Sequence, residues 1–209
     1  MLEKLDKKYQ QMQKEYGDSN LDAITFGGCK NNPDICFVFM NPTGKNVASV
    51  KEWKGIKSPW IGTKNIWKMF FELDIISKDI YNQLRLKKPN EWTEDFAVTL
   101  YKEIENKKIY ITNLAKCTQT DARSLKDYVF KEYLDLFFKE LDIVKPNKVV
   151  LFGNQVSSIV LDRKISVSTV RKQEFEYKGF SFYSVYYPVG NGIFNIDKAI
   201  ADIKYIMSR

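Results

Sequence analysis

Pro33-Asp-Ile-Cys-Phe-Val-Phe-Met-Asn-Pro-Thr43 decides how this chain is read: an unbroken apolar run, Ile35 to Met40, enters the polar turn Asn41-Pro42-Thr43. Such a run reads as a buried strand. In an open α/β sheet, ligands bind in the crevice beyond the carboxyl ends of the strands, so a strand that ends in an amide side chain presents that amide to the crevice. The pattern recurs three times: Lys108-Ile-Tyr-Ile-Thr112 ends at Asn113, Lys148-Val-Val-Leu-Phe152 ends at Gly153-Asn154-Gln155, and Phe180-Ser-Phe-Tyr-Ser-Val-Tyr186 ends at Tyr187-Pro188. Four strands are therefore expected to bring polar ends to one rim.

Helical patterns alternate with these strands, which predicts an α/β fold. An amphipathic helix is expected over residues 2–16, ending near Gly17, with the first strand after Pro33. Residues 63–73 read as a helix opened by Thr63, with Ile66, Trp67, Phe70 and Phe71 on one face, and further helices are expected around 76–85 and 93–105. The segment from Ser124 to Val144 carries the strongest helical stripe and stops at Lys145-Pro146; that stripe reads as core. Gln155 to Leu161 continues as a helix after the third strand. Period-two alternation around Lys178-Gly179 predicts a hairpin, and a last helix runs from about Ile196 to Met207.

The 209 residues, 44% of them hydrophobic, suffice for one sizeable core, so the whole chain is expected to form a single domain. No apolar run approaches the ~20 residues of a membrane span. The charged start, Met-Leu-Glu-Lys-Leu-Asp-Lys-Lys, is unlike a signal peptide, and a cytoplasmic monomer is expected, without membrane contact. Three cysteines, Cys29, Cys36 and Cys117, do not pair completely and show no C-x-x-C spacing, which argues for free thiols. The formal charge is +7, from 33 Lys and Arg against 26 Asp and Glu. This favours a polyanionic partner. Lys45, Lys51, Lys54, Lys57, Lys64 and Lys68 interleave with Trp53, Trp60 and Trp67, a pattern suited to holding phosphates and stacking bases; a solvated lysine face over core tryptophans is the competing reading.

The chain has no histidine. That removes the commonest general base, the histidine-dependent triads and histidine metal sites. Neither G-x-x-x-x-G-K-[ST] nor G-x-G-x-x-G is present, so the phosphate-binding nucleotide folds lack their loop. The chemistry left is that of amides, hydroxyls and aromatics.

Phe39-Met-Asn-Pro-Thr43, Pro59-Trp-Ile-Gly62, Tyr110-Ile-Thr-Asn-Leu-Ala-Lys-Cys117, Val149-Val-Leu-Phe-Gly153 and Tyr186-Tyr-Pro-Val-Gly190 stand in the order expected of the uracil-DNA glycosylase superfamily, which the chain resembles over roughly residues 30 to 207. Asn41-Pro42 resembles the water-activating turn of the mismatch-specific and single-strand-selective branches; Pro59 to Gly62 and Tyr110 to Cys117 resemble the iron-sulfur branch. The resemblance implies a three-layer fold on a central four-stranded parallel sheet. It also implies a glycosylase that flips uracil or a related altered base out of DNA and hydrolyses its N-glycosidic bond. A glycosylase for a hypermodified, phage-type base, and a catalytically weak nucleic-acid-binding module that keeps the fold, are the alternatives.

Carried over residue by residue, the resemblance makes Asn41 the residue that aligns the water and Trp60 the aromatic on which the base stacks. Asn113 becomes the reader of the base edge, with Met40 and Thr43 beside it. Each has a plainer reading: a turn-forming Asn before Pro, a core tryptophan, an Asx turn. Tyr187 stands where the superfamily usually has histidine. It either donates to the departing base or only lines the pocket, with Asn191 as a substitute donor. In the loop Gly190-Asn-Gly-Ile-Phe194, Ile193 and Phe194 are candidates for a minor-groove wedge, or for packing against the last helix. Gly62, Thr63 and Lys64 are expected at a helix start, where backbone N–H groups and the lysine would hold a phosphate. Cys29 and Cys117 match two positions of the iron-sulfur branch, but that cluster needs four cysteines, so no metal or other cofactor is expected.

Overall fold

The computed structural model describes residues 1–122 and 125–209. Its strands are β1 (Phe26–Gly28), β2 (Ile35–Phe39), β3 (Ile109–Asn113), β4 (Lys148–Phe152), β5 (Glu174–Tyr177) and β6 (Phe180–Val185). Its helices are α1 (Leu2–Tyr16), α2 (Asn65–Glu72), α3 (Lys78–Leu86), α4 (Glu94–Asn106), α5 (Asp127–Glu132), α6 (Leu134–Val144), α7 (Asn154–Val160), α8 (Val167–Val170) and α9 (Ile196–Met207).

The six strands lie in the order β1-β3-β2-β4-β6-β5. The four expected strands, β3, β2, β4 and β6, are mutually parallel. The expectation of four strands is corrected by two antiparallel edges, β1 on β3 and β5 on β6. The β5–β6 edge is the hairpin at Lys178-Gly179, whose φ values of +48° and +80° make the left-handed turn that suits a two-residue loop. The β1 edge precedes the strand expected to come first. It contains Gly27 and Gly28, and glycine carries no strand signal.

Side chains alternate across the central strands and feed two cores. Phe37 and Phe39 join α2, α3, α4 and α9 on one face, while Cys36 and Val38 join α1, α5, α6 and α7 on the other. These are the three layers expected. Helix α2 starts at Asn65, two residues after Thr63, because the Thr63 hydroxyl is occupied 2.7 Å from the Trp60 carbonyl. The long expected helix begins at Asp127 and is interrupted at Tyr133, which separates α5 from α6; Ser124 lies outside the described residues. Lys145 adopts a left-handed φ of +54° and ends α6, and the following proline disfavours a right-handed helical conformation at this position.

Beneath the end of β3 lies a buried ion pair. The Lys116 ammonium stands 3.1 Å from a Glu140 carboxylate oxygen, and both side chains are fully buried. Glu140 also accepts from Tyr9 at 2.6 Å, Tyr110 at 3.0 Å and Thr112 at 2.6 Å. Lys116 donates to the Thr112 hydroxyl at 2.6 Å and to the Asn113 carbonyl. Burial pulls the ammonium below its ordinary pKa, against the opposing pull of Glu140. Burial and then the Glu140 charge hold the Tyr9 and Tyr110 phenols above theirs, so both stay donors. Removing one member of such a pair leaves a buried charge without compensation, at a cost of ~3–5 kcal/mol. Lys116→Met should therefore lower unfolding stability in urea by about that amount; a loss below ~1 kcal/mol, the size of an exposed pair, would contradict the assignment.

Candidate active site

Strand order places the crevice. From β2 the chain crosses to β3 on one side; from β4 it continues to β6 on the other. The connections diverge at neighbouring strands β2 and β4, and such a switch point opens a cleft at the carboxyl ends. A cleft of about 560 Å³ opens there. Met40, Asn41 and Thr43 line it from the β2 end, Gly153, Asn154 and Gln155 from the β4 end, and Tyr186 and Tyr187 from the β6 end. Gly190 and Asn191 line the same cleft, so six of the expected site residues meet in it.

Backbone pairing beyond the strands fixes the Asn41 turn. Leu114 N–H donates to the Phe39 carbonyl at 2.8 Å and Ala115 N–H to the Met40 carbonyl at 3.0 Å. Gln119 then takes over, donating to the Pro42 carbonyl at 3.1 Å and accepting from Gly44 at 2.8 Å. The Asn41 Nδ2 donates to the Pro42 carbonyl at 3.1 Å, which commits the donor end of the amide to the turn. Its Oδ1 has no hydrogen-bond partner among the described residues and remains an acceptor at the cleft wall.

Trp60 and Asn113 do not line this cleft; both neighbour Phe39, which in turn packs against the cleft residue Tyr187. Asn113 is the register partner of Phe39 across the β2–β3 ladder, and Trp60 packs edge-on against Phe39 with ring centroids 5.0 Å apart. The other side of Phe39 stacks on Phe152 at 4.3 Å, and Tyr187 meets it edge-on at 6.3 Å. Asn113 is 2% exposed, and its Nδ2 is buried without a partner; so is the Trp60 indole Nε1. An unsatisfied buried donor costs ~1–3 kcal/mol, which a ligand carbonyl would return. Trp60 also holds a left-handed φ of +68°, a conformation that costs an L-residue ~1–3 kcal/mol and persists only where its surroundings impose it. They do: the Thr63 N–H and hydroxyl both donate to the Trp60 carbonyl, at 3.1 and 2.7 Å, and the Tyr101 hydroxyl holds the Pro59 carbonyl.

The Tyr187 hydroxyl has no hydrogen-bond partner among the described residues, and desolvation holds its pKa above the ordinary phenol value. It is thus a neutral donor throughout the working pH range. The Gly190–Asn195 turn folds back on it: a Cβ at Gly192 would stand 2.0 Å from the Tyr187 carbonyl oxygen, so only glycine fits.

The remaining expected residues lie apart. Gly62 is buried against Val47, and Thr63 is engaged with Trp60. The Lys64 ammonium donates to the Arg85 carbonyl at 2.9 Å, in a smaller cleft that Ile193 also lines. Phe194 is 91% exposed and does not pack on the last helix, whereas Ile193 is half-buried against the core. Of the interleaved tryptophans, Trp67 is fully buried and belongs to the core, which removes it as a stacking surface. Asn154 and Gln155 were marked in the sequence only as a strand end. Asn154 accepts from the Val167 N–H at 2.9 Å, and Gln155 donates to Asp127 at 2.8 Å. Of the cysteines, Cys36 is buried within β2, Cys117 is buried, and the Cys29 thiol donates to the Asn31 carbonyl at 3.4 Å.

A pocket at the switch point, walled by an amide acceptor and a neutral phenol, and flanked by buried amide and indole donors with nothing to donate to, suits a planar heterocycle that carries carbonyl groups. Residues 26–194 match the family model of the Uracil DNA glycosylase superfamily. That span includes every residue of the site and well over half of the 209-residue chain. The chain therefore belongs to that superfamily, and its activity is of the DNA glycosylase kind, a hydrolase that acts on DNA in base excision.

Proposed function

We propose that the chain removes uracil, or a closely related altered pyrimidine, from DNA by hydrolysis without cutting the strand itself. The observation that carries this reading is the Asn113 carboxamide: buried at the end of β3, its donor unpartnered, next to Phe39, the residue against which the Trp60 ring also packs. An amide offers a donor and an acceptor side by side, which matches the adjacent carbonyl and N–H on the pairing edge of uracil. A base flipped out of the stack needs such an edge reader and an aromatic face.

Breaking the N-glycosidic bond develops positive charge on the sugar and negative charge on the departing base. Preorganised donors stabilise the anion because they need no reorganisation as the charge appears. Tyr187 supplies one such donor through its O–H, and Asn113 another through its Nδ2–H. Asn41 Oδ1 accepts from a water and sets its direction; an amide takes no proton at neutral pH, so it orients the nucleophile and is not a general base. Modest turnover follows.

Oligonucleotides carrying uracil, hypoxanthine, a thymine mismatch or modified cytosines, treated with alkali after incubation, test the reading. Scission is expected at uracil, and only after alkali. Scission at modified cytosines alone would move the substrate to a hypermodified base, and binding without scission anywhere would leave a binding module. Asn41→Ala should abolish most base release and leave affinity for DNA nearly intact; unchanged single-turnover cleavage would remove Asn41 from the mechanism.

The protonation states give a second test. A raised phenol pKa means that the hydroxyl keeps its proton as pH climbs through the range where an ordinary tyrosine begins to lose it. With no histidine and no titrating group in the assigned roles, single-turnover rates should be flat between about pH 6 and 9. Tyr187→Phe should lower that plateau by ~10²–10³ without changing its shape. A rate within a few-fold of wild type would reduce Tyr187 to a pocket wall and make Asn191 the next donor to examine.

A further inference from the structure

Lys64 opens a second cleft of about 340 Å³ between the start of α2 and the end of α3, lined also by Lys68, Tyr81, Leu84, Arg85 and Ile193. Three cations line it and no acid does. Lys64 and Lys68 are four residues apart, hence on one face of the helix, and like charges at that spacing repel. Arg85 comes from the last turn of α3, and neither it nor the two lysines has an ion-pair partner among the described residues. The repulsion is relieved by an anion, and the cleft offers one a ring as well. Tyr81 stacks on Phe71 with centroids 4.4 Å apart and planes within 5°, and the Arg85 guanidinium lies 6.0 Å from the Tyr81 centroid. The column Phe71, Tyr81, Arg85 presents a planar cation beside half-buried aromatic and apolar surface, the surroundings that take a phosphate together with the face of a base. Position supplies the last point: Ile193 lines this cleft and Gly192 the main one, so a single turn, Gly190–Asn195, separates them.

We propose that Lys64, Lys68, Arg85 and Tyr81 form a second DNA subsite, which holds a nucleotide flanking the one whose base enters the main cleft. Lys68 and Arg85 take the phosphate, Lys64 fixes the end of α3 and adds charge, and the Tyr81–Arg85 face takes the sugar or base. The proposal rests on the DNA-binding part of the reading above and is independent of which base is released.

The test uses the full chain and a duplex containing a tetrahydrofuran abasic analogue, which carries no base to excise. Affinity is measured by anisotropy over a range of salt for wild type, Lys68→Ala/Arg85→Ala and Tyr81→Ala. A matched control, Lys7→Ala/Lys102→Ala, removes the same charge from the cleft at the opposite, β1 edge of the sheet. All four substituted cations are exposed, so the fold is expected to survive, and thermal melting verifies it. Each phosphate contact contributes a slope of about −0.9 to log K against log salt. The Lys68/Arg85 variant should therefore bind ~10-fold or more weakly than the control, with its slope flattened by about 0.9 as that one phosphate contact is lost. Tyr81→Ala should weaken binding at unchanged slope. Equal affinities and slopes for the variant and the control would overturn the subsite. Failure of wild type to release any base would defeat the excision reading alone, because these binding ratios do not depend on it.

Discussion

The Lys116 ammonium and the Glu140 carboxylate meet where neither touches water, and the direction of the chain at the end of β3 depends on that meeting. Removing two ions from solvent costs several kcal/mol each, and the mutual attraction repays this only when other hydrogen bonds complete the set. Here they do: Tyr9, Tyr110 and Thr112 donate to the carboxylate, and the ammonium reaches Thr112 and the Asn113 carbonyl. An apolar pair of equal volume would stabilise the fold as well or better. What it would lack is direction. The ionic pair grips the peptide carbonyl of Asn113, the residue proposed to read the base, so the backbone that carries the Asn113 amide is held before any ligand arrives.

The brace extends to a segment outside the family match. Helix α1 precedes residue 26, yet its Tyr9 closes the Glu140 network, and its Gln13 accepts from the Thr118 N–H at 2.6 Å. The Tyr16 carbonyl accepts from the Gln119 side chain at 2.7 Å, and the Gln119 backbone in turn pairs with Pro42 and Gly44 around the Asn41 turn. One helix thereby supports both amides, Asn113 through the ion pair and Asn41 through Gln119. On the far side of the sheet the Trp60 turn is fixed independently, by Tyr101 from α4 and by its own Thr63. The two amides proposed to orient the water and read the base thus share a support in α1, while the proposed stacking ring rests on its own, and Asn113 and Trp60 both adjoin Phe39.

The parallel strands and their polar ends were legible because each is a short apolar run closed by Asn, Gly or Pro, and the Lys178-Gly179 turn made the β5–β6 edge legible too. Nothing local announced β1, since two of its three residues are glycine and its pairing is imposed by the neighbouring strand; the Tyr101 ring occupies the place a Cβ at Gly27 would need. Asn41, Tyr187, Gly190 and Asn191 were legible as turn residues and share one cleft. The Lys116–Glu140 pair was not legible. Lysine and glutamate read as surface residues, and the contact joins a loop to a helix 24 residues away. The left-handed Trp60 was equally hidden, because its conformation is set by Thr63 and Tyr101 and not by its own propensity.

The claim at the centre of this account is that the Asn113 amide, one of several buried donors left without a partner, and the Trp60 ring both meet the base. Side-chain amide and indole N–H resonances of the ¹⁵N-labelled protein report on both groups directly, with a duplex containing 2′-fluoro-deoxyuridine as a ligand whose glycosidic bond resists cleavage. The account predicts that the Asn113 amide and the Trp60 indole signals move on adding this duplex and stay in place on adding the same duplex with thymidine at that position. Movement confined to lysine-bearing surfaces, with both donors unmoved, would contradict it.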